Sequence, residues 1–319
     1  MGFLIDQSQA IFPRYAVTCV AILLLSGTLF ARATDESVGT QACAVLTGLG
    51  GIPEYEENFR NWGDSIEKVC RGGGAGEVIR LDGSTVRRPE ILARLVELEK
   101  LPAATPTWIF LIGHGSYDGR QYKFNIKGPD LTGQDLAAFL DKLGARPTYV
   151  ILATSCAGTV ADQLKGPHRV IVSATRSGTE RHPPLFMSFF AEAAQTAEAD
   201  ENKDRRVSLQ EVFNYSQKQV QKWYEEKGRL QTEHPVLIDA GGTGGLARVA
   251  YLSKPPEQAY RSLEARQLAP ERTRLEREIE DLKLRKQDMA SEDYYSALEK
   301  LLLELSKLNE KIRTLEGKP

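Results

Sequence analysis

A chain of 319 residues is longer than one compact core usually requires, so a main domain with appended segments is expected. Its 41 Lys and Arg against 43 Asp and Glu give a formal net charge of −2, which excludes a global basic surface for nucleic acid. The cysteines and histidines show no zinc-type spacing.

The first signal in the chain is one of targeting. Arg14 precedes the apolar stretch YAVTCVAILLLSGTLF, and Ala31-Arg32-Ala33 then matches a small-x-small cleavage site. A signal peptide over residues 1–33 is expected, with a retained membrane anchor over residues 15–31 as the alternative. Either sends the remainder to a periplasmic or extracellular setting. There, Cys43, Cys70 and Cys156 form an odd set. Cys43 begins the first strand and Cys70 ends the helix that packs back on it, so these two suit a disulfide that leaves Cys156 free. Three small buried hydrophobes in a reducing environment are the other reading.

From Cys43, CAVLTGLGG reads as strand and glycine-rich turn, followed by a helix over 56–69 and the short strand EVIRL. Arg88-Pro89 opens a helix whose apolar residues Ile91, Leu92, Leu95, Val96 and Leu98 form one stripe. The run Trp108 to Ile112 lacks polar alternation, as does Thr148 to Leu152; both read as strands buried on two faces of a parallel sheet. Between them Thr132 caps a helix containing Leu136, Phe139, Leu140 and Leu143. RVIVSATRSG is a further buried strand, and PPLFMSFFAEAAQTAEA a helix opened by prolines. A helix over 209–227 and a strand over 235–240 complete about six strands. Right-handed crossovers put the helices on both faces of the sheet, which gives an α/β/α sandwich. Gly241 to Gly245 lacks the Lys-Ser/Thr ending of a phosphate loop and reads as a turn.

Composition changes after about residue 253, which divides the chain into 34–253 and a helical segment, 254–319. Leu275, Ile279, Leu282 and Met289 approximate a heptad. Leu298, Leu301, Leu305, Leu308, Ile312 and Leu315 alternate steps of three and four. Two antiparallel helices joined near Ala290 compete with one long coiled-coil rod, and residues 271–316 are the candidate surface for self-association or a protein partner.

Chemistry concentrates where two apolar strands end. His114 stands between Gly113 and Gly115, and Cys156 follows Thr154-Ser155. Ligands of open α/β sheets sit outside the carboxyl ends of the strands, so both residues are expected in one crevice. An imidazole beside a thiol can take its proton and later return one to a leaving amine. The amides of Gly115 and Cys156 are placed to serve an oxyanion.

IFLIGHGS and VILATSCAG, with AVLTGLGG before and VIVSATRSG after, resemble the legumain family of cysteine peptidases and its caspase-like relatives over residues 41–250. The resemblance implies a caspase-like three-layer α/β/α sandwich with a mostly parallel six-stranded sheet, with the helical hairpin or coiled coil appended. It implies His114 as catalytic histidine, Cys156 as nucleophile, Gly115 and Cys156 as oxyanion donors, and no cofactor for catalysis. Arg60, within FRNWGD, resembles a pocket arginine. The chain departs from legumains in carrying Thr154-Ser155-Cys156 where they have Glu-Ala-Cys, and Gly50 where they have Asn. A catalytically silent caspase-like scaffold that binds a partner through its C-terminal helices is the alternative.

In DENKDRRVSLQE, Asp200, Asn202, Asp204, Ser208 and Glu211 occupy positions one, three, five, nine and twelve of an EF-hand loop, with the Arg206 carbonyl at seven. Calcium is one reading. A solvated acidic turn capping the helix after Val207 is the other, favoured by Lys203, Arg205 and Arg206. His168, His182 and His234, all beside prolines or in proline-rich loops, read as surface or turn residues.

Overall fold

The computed structural model of the protein describes residues 41–239, 245–253 and 260–317. The signal or anchor stretch, Gly241 to Gly244, and the junction at 254–259 lie outside the described residues.

Strands β1 (Gln41–Thr47), β3 (Thr107–Gly113) and β7 (Thr148–Thr154) are buried at every residue, the burial expected of parallel strands covered on both faces. With β2 (Ala75–Asp82), β8 (Arg169–Ser173) and β9 (Val236–Asp239) they form a six-stranded sheet in the order β2-β1-β3-β7-β8-β9. Every pairing is parallel except β8 with β9. Side-chain alternation divides the core into two layers. Trp108, Phe110 and Ile112 pack with Phe59, Ile66, Phe186, Phe190, Val212 and Phe213; these come from α1 (Pro53–Gly72), α5 (Phe186–Ala193) and α6 (Leu209–Glu226). Ile109 and Leu111 pack on the opposite face with Ile91, Leu95, Leu136, Phe139, Val160 and Leu164; these come from α2 (Arg88–Glu99), α3 (Gly133–Lys142) and α4 (Gly158–Leu164). Each such large side chain contributes roughly 1.5–3 kcal/mol on burial, so the two layers fix the sheet between them. The α/β/α sandwich expected from the sequence is the fold observed.

Two local features differ from the sequence reading. After His114 the chain forms a small antiparallel sheet, β4 (Gly115–Tyr117), β5 (Tyr122–Phe124) and β6 (Leu131–Thr132), too short for any hydrophobic period to register. Helix α5 begins only at Phe186, after both prolines, and ends at Ala193, with a 3-10 turn at Ala197–Ala199 replacing its expected last turns. At α3 the capping signal is met: Thr132 accepts the Asp135 amide, and Asp135 reciprocates at the Thr132 amide.

The tail is a hairpin. Helices α7 (Leu263–Leu284) and α8 (Ser291–Leu315) pack together, with Met289 and Ala290 extended between them. The buried residues of α7 are Ala265, Ala269, Leu275, Ile279 and Leu282. In α8 Tyr294 and Ile312 are buried, while Tyr295, Leu302 and Leu303 are exposed. Arg206 ties α7 to the sandwich: its guanidinium donates to Glu276 at 3.1 Å and to Thr273 at 3.2 Å, and lies 4.2 Å from the Tyr251 ring centroid. Among the described residues no helix is long and apolar enough to cross a membrane.

Candidate active site

The parallel pairing of β3 with β7 sets Gly113 opposite Thr154. His114 leaves the sheet one residue after that pair and Cys156 two residues after it. Both therefore stand at the carboxyl edge of the two central strands.

The His114 imidazole is half-buried, edge-on to the rings of Tyr55 and Phe59 with centroids 5.2 Å away in each case. Its Nε2 is 3.0 Å from the Gly50 carbonyl oxygen. That bond requires Nε2 to carry a proton, which leaves Nδ1 of the neutral ring as an acceptor. Burial lowers the imidazole pKa, and the Gly50 bond offsets part of the effect. The departure at Gly50 has a steric reason: a Cβ there would stand 2.3 Å from the Glu56 nitrogen.

Cys156 adopts a left-handed backbone, φ 58°, and is 1% exposed. Its thiol donates to the Gly178 carbonyl at 3.4 Å, and its amide donates to the Glu180 carbonyl at 2.9 Å. Burial raises the thiol pKa, with Arg181 and the Tyr117 backbone opposing the shift. No hydrogen bond joins Cys156 to His114. In this conformation one of the two amides expected at an oxyanion is engaged. The other, Gly115, opens β4 so close to β7 that a Cβ on it would lie 2.2 Å from the Ser155 carbonyl. Thr154 is fully buried and bonds the Tyr122 hydroxyl at 2.6 Å.

Arg60 lies on α1 and lines an open recess with Thr47, Gly48, Glu56, Phe59, Asp82 and Ser84. Phe59 is shared between this recess and the His114 ring. Cys43 and Cys70 are both fully buried with their thiols in hydrogen-bonding contact, and both are free. Burial, then the neighbouring Cys70, pushes the Cys43 thiol up.

In the 200–211 loop, Asp200 accepts the amides of Asp204 and Arg205, and Asn202 accepts that of Asp204. Asp204 accepts the Arg206 amide and pairs with the Arg206 guanidinium at 3.1 Å and that of Arg272 at 3.5 Å. Glu211 accepts from the Asn202 amide and forms a capping box with Ser208. These oxygens already have protein donors. Among the described residues no group of three or more His, Cys, Asp or Glu side chains is placed to hold a metal ion.

Two acids near the candidate nucleophile, Glu180 and Glu233, carry no sequence signal, and His234, expected at the surface or in a turn, pairs with the first. Glu180, 9% exposed, accepts the amides of Arg176 and His234, and His234 Nδ1 lies 2.6 Å from its carboxylate. Glu233, 1% exposed, accepts the Leu185 and Phe186 amides at the start of α5 and the Tyr224 hydroxyl. No motif marks them, although an acid followed by histidine in a buried segment is a polar run that needs partners. His168 is also less exposed than expected, 3.8 Å from Asp281 of α7.

The molecule is thus an α/β/α sandwich carrying a histidine and a cysteine at the ends of its two central parallel strands. No protein-family model matches the sequence, and no curated protein does so either. Solved structures are similar at low identity, among them the following three. One is caspase-1 from Spodoptera frugiperda, at 12% identity and TM-score 0.45, covering 63% of this chain and 87% of that one. Another is a Geobacter sulfurreducens protein, at 10% and 0.45, covering 63% and 93%. The third is the Drosophila initiator caspase Dronc, at 10% and 0.45, covering 67% and 82%.

Burial pushes the Glu233 carboxyl up to about 7, despite the two amides and the hydroxyl that favour its charged form. A pKa raised on folding contributes stability below the unfolded value, and that contribution is lost as pH rises through the folded value. Stability should therefore fall between about pH 4.5 and pH 7, by at most about 3 kcal/mol. Urea unfolding across that window should show a shallower decline in Glu233→Gln than in the wild type. An equal slope in both would show that Glu233 is not the group responsible.

Proposed function

We propose that the protein is an exported caspase-like cysteine endopeptidase with Cys156 as nucleophile and His114 as general base and acid. The observation that carries this reading is the register of Gly113 with Thr154, which brings an imidazole with an uncommitted Nδ1 and a thiol to one sheet edge. Cys156 Sγ attacks the carbonyl carbon of a peptide bond as its proton passes to His114. His114 then protonates the leaving amine, and water hydrolyses the thioester with the imidazole again acting as base. Stabilisation of the oxyanion by the amides of Gly115 and Cys156 requires the Cys156 amide to be released from Glu180. Arg60 and its recess, adjoining His114 through Phe59, are the proposed substrate pocket.

The reading is tested by incubating the mature protein with a mixed peptide library and identifying cut sites by mass spectrometry. Cleavage is expected, lost in Cys156→Ala and reduced on the order of 10²- to 10⁴-fold in His114→Ala. Cleavage that survives Cys156→Ala would overturn it. The second reading, a silent scaffold, draws on the buried thiol, whose pKa burial raises, and on the exposed Tyr295, Leu302 and Leu303 of α8. It predicts no cutting in any variant.

Export carries its own check. In an oxidising compartment Cys43 and Cys70 join, so intact mass under non-reducing conditions should be about 2 Da below the reduced value, with Cys156 still free. An unchanged mass contradicts the pairing. Calcium at the 200–211 loop is proposed as competing with Arg206 and Arg272 for Asp204, with no part in catalysis. Millimolar calcium should then raise the Tm of the wild type but not of Asp200→Ala; no shift in the wild type leaves the loop as a joint held by guanidinium groups.

A further inference from the structure

The segment after β8 lies directly on the candidate nucleophile. Gly178 and Glu180 accept the thiol and the amide of Cys156, and the Thr175 hydroxyl accepts the amide of Ala157. Contact is close along its length: a Cβ on Gly158 would stand 2.0 Å from the Arg176 carbonyl carbon, and one on Gly178 would stand 2.6 Å from the Tyr117 ring and 2.7 Å from Thr159. Cys156 is 1% exposed: the core layer that includes Tyr122 and Val160 packs on it from within, and the segment sets a carbonyl on its thiol and another on its amide.

One side chain holds the cover down. The Glu180 carboxylate accepts the Arg176 amide at 2.9 Å and the His234 amide at 3.2 Å, and pairs with His234 Nδ1 at 2.6 Å and Arg176 Nε at 3.5 Å. His234 lies two residues before β9, so Glu180 ties the segment to the stretch that leads into the last strand of the sheet. The Glu233 carboxylate anchors the far side by accepting the first amides of α5.

We propose that residues 176–182 are a plug over Cys156, latched by Glu180 on His234, and that substrate enters when this latch opens. Withdrawal of the segment frees the Cys156 amide for an oxyanion and the thiol for His114 in a single movement. The inference rests on Cys156 as the reacting group, but its test does not need turnover. Glu180 and His234 act through the backbone they position and touch no substrate.

The test measures labelling of Cys156 by iodoacetamide, followed by mass spectrometry, in a His114→Ala background at a pH above the ordinary thiol range. That background removes any catalytic contribution and reads access alone. Glu180→Ala and His234→Ala should each accelerate labelling about tenfold or more, because a hydrogen bond to a charged group contributes on that scale to a local opening equilibrium. Gly178→Ala provides a second route, displacing the plug through its clash with Tyr117 while leaving the latch chemistry intact. Circular dichroism confirms that each variant is folded. Labelling unchanged in all three folded variants would overturn the latch, as would a wild-type rate equal to that of cysteine in an unstructured peptide. Faster labelling without peptide cleavage when His114 is restored supports the latch and counts against the peptidase.

Discussion

The pairing of β3 with β7 is the constraint on which the site depends. Opposing Gly113 and Thr154 puts His114 and Cys156 at neighbouring strand ends, and a one-residue slip would turn every side chain of one strand to the other face. Two aromatic-rich and aliphatic layers hold that register. Trp108, Phe110 and Ile112 are locked under α1, α5 and α6, while Ile109 and Leu111 are locked under α2, α3 and α4. The chemistry at the edge is therefore positioned by packing many residues away from it.

The same packing sets a tension at the edge. Burial lowers the His114 pKa, which favours the neutral form a base needs, but it also raises that of the Cys156 thiol, which disfavours the thiolate a nucleophile needs. Both polar groups of Cys156 are satisfied by the 176–182 segment in the described conformation. A reactive site requires those two hydrogen bonds to be exchanged for contacts with His114 and substrate. Glu180 is the side chain through which the rest of the molecule opposes that exchange.

Much of the fold was legible from the chain. Fully apolar runs marked β1, β3, β7 and β8, Thr132 marked the start of α3, and the stripe of 298 to 315 marked α8. Helix α5 was misjudged because its amino-terminal donors are met by Glu233, 47 residues away from Phe186, rather than by a local cap. The strands β4 to β6 were missed because two or three residues carry no period. Position was legible for His114 and Cys156, but not the occupation of their hydrogen bonds. That depends on Glu180 and His234, 54 residues apart, and no local pattern records such a pairing. Likewise the spacing from Asp200 to Glu211 was legible, but not the guanidinium group that Arg272, far along the chain, brings to Asp204.

The central claim is that His114 and Cys156 form one working pair once the plug is lifted. The most direct measurement is the pH profile of Cys156 alkylation in the Glu180→Ala protein, with and without His114→Ala. The account predicts a reactive limb that extends well below the ordinary cysteine pKa of about 8.5 and disappears when His114 is removed. A single titration at or above that value, the same with either residue at position 114, would contradict it.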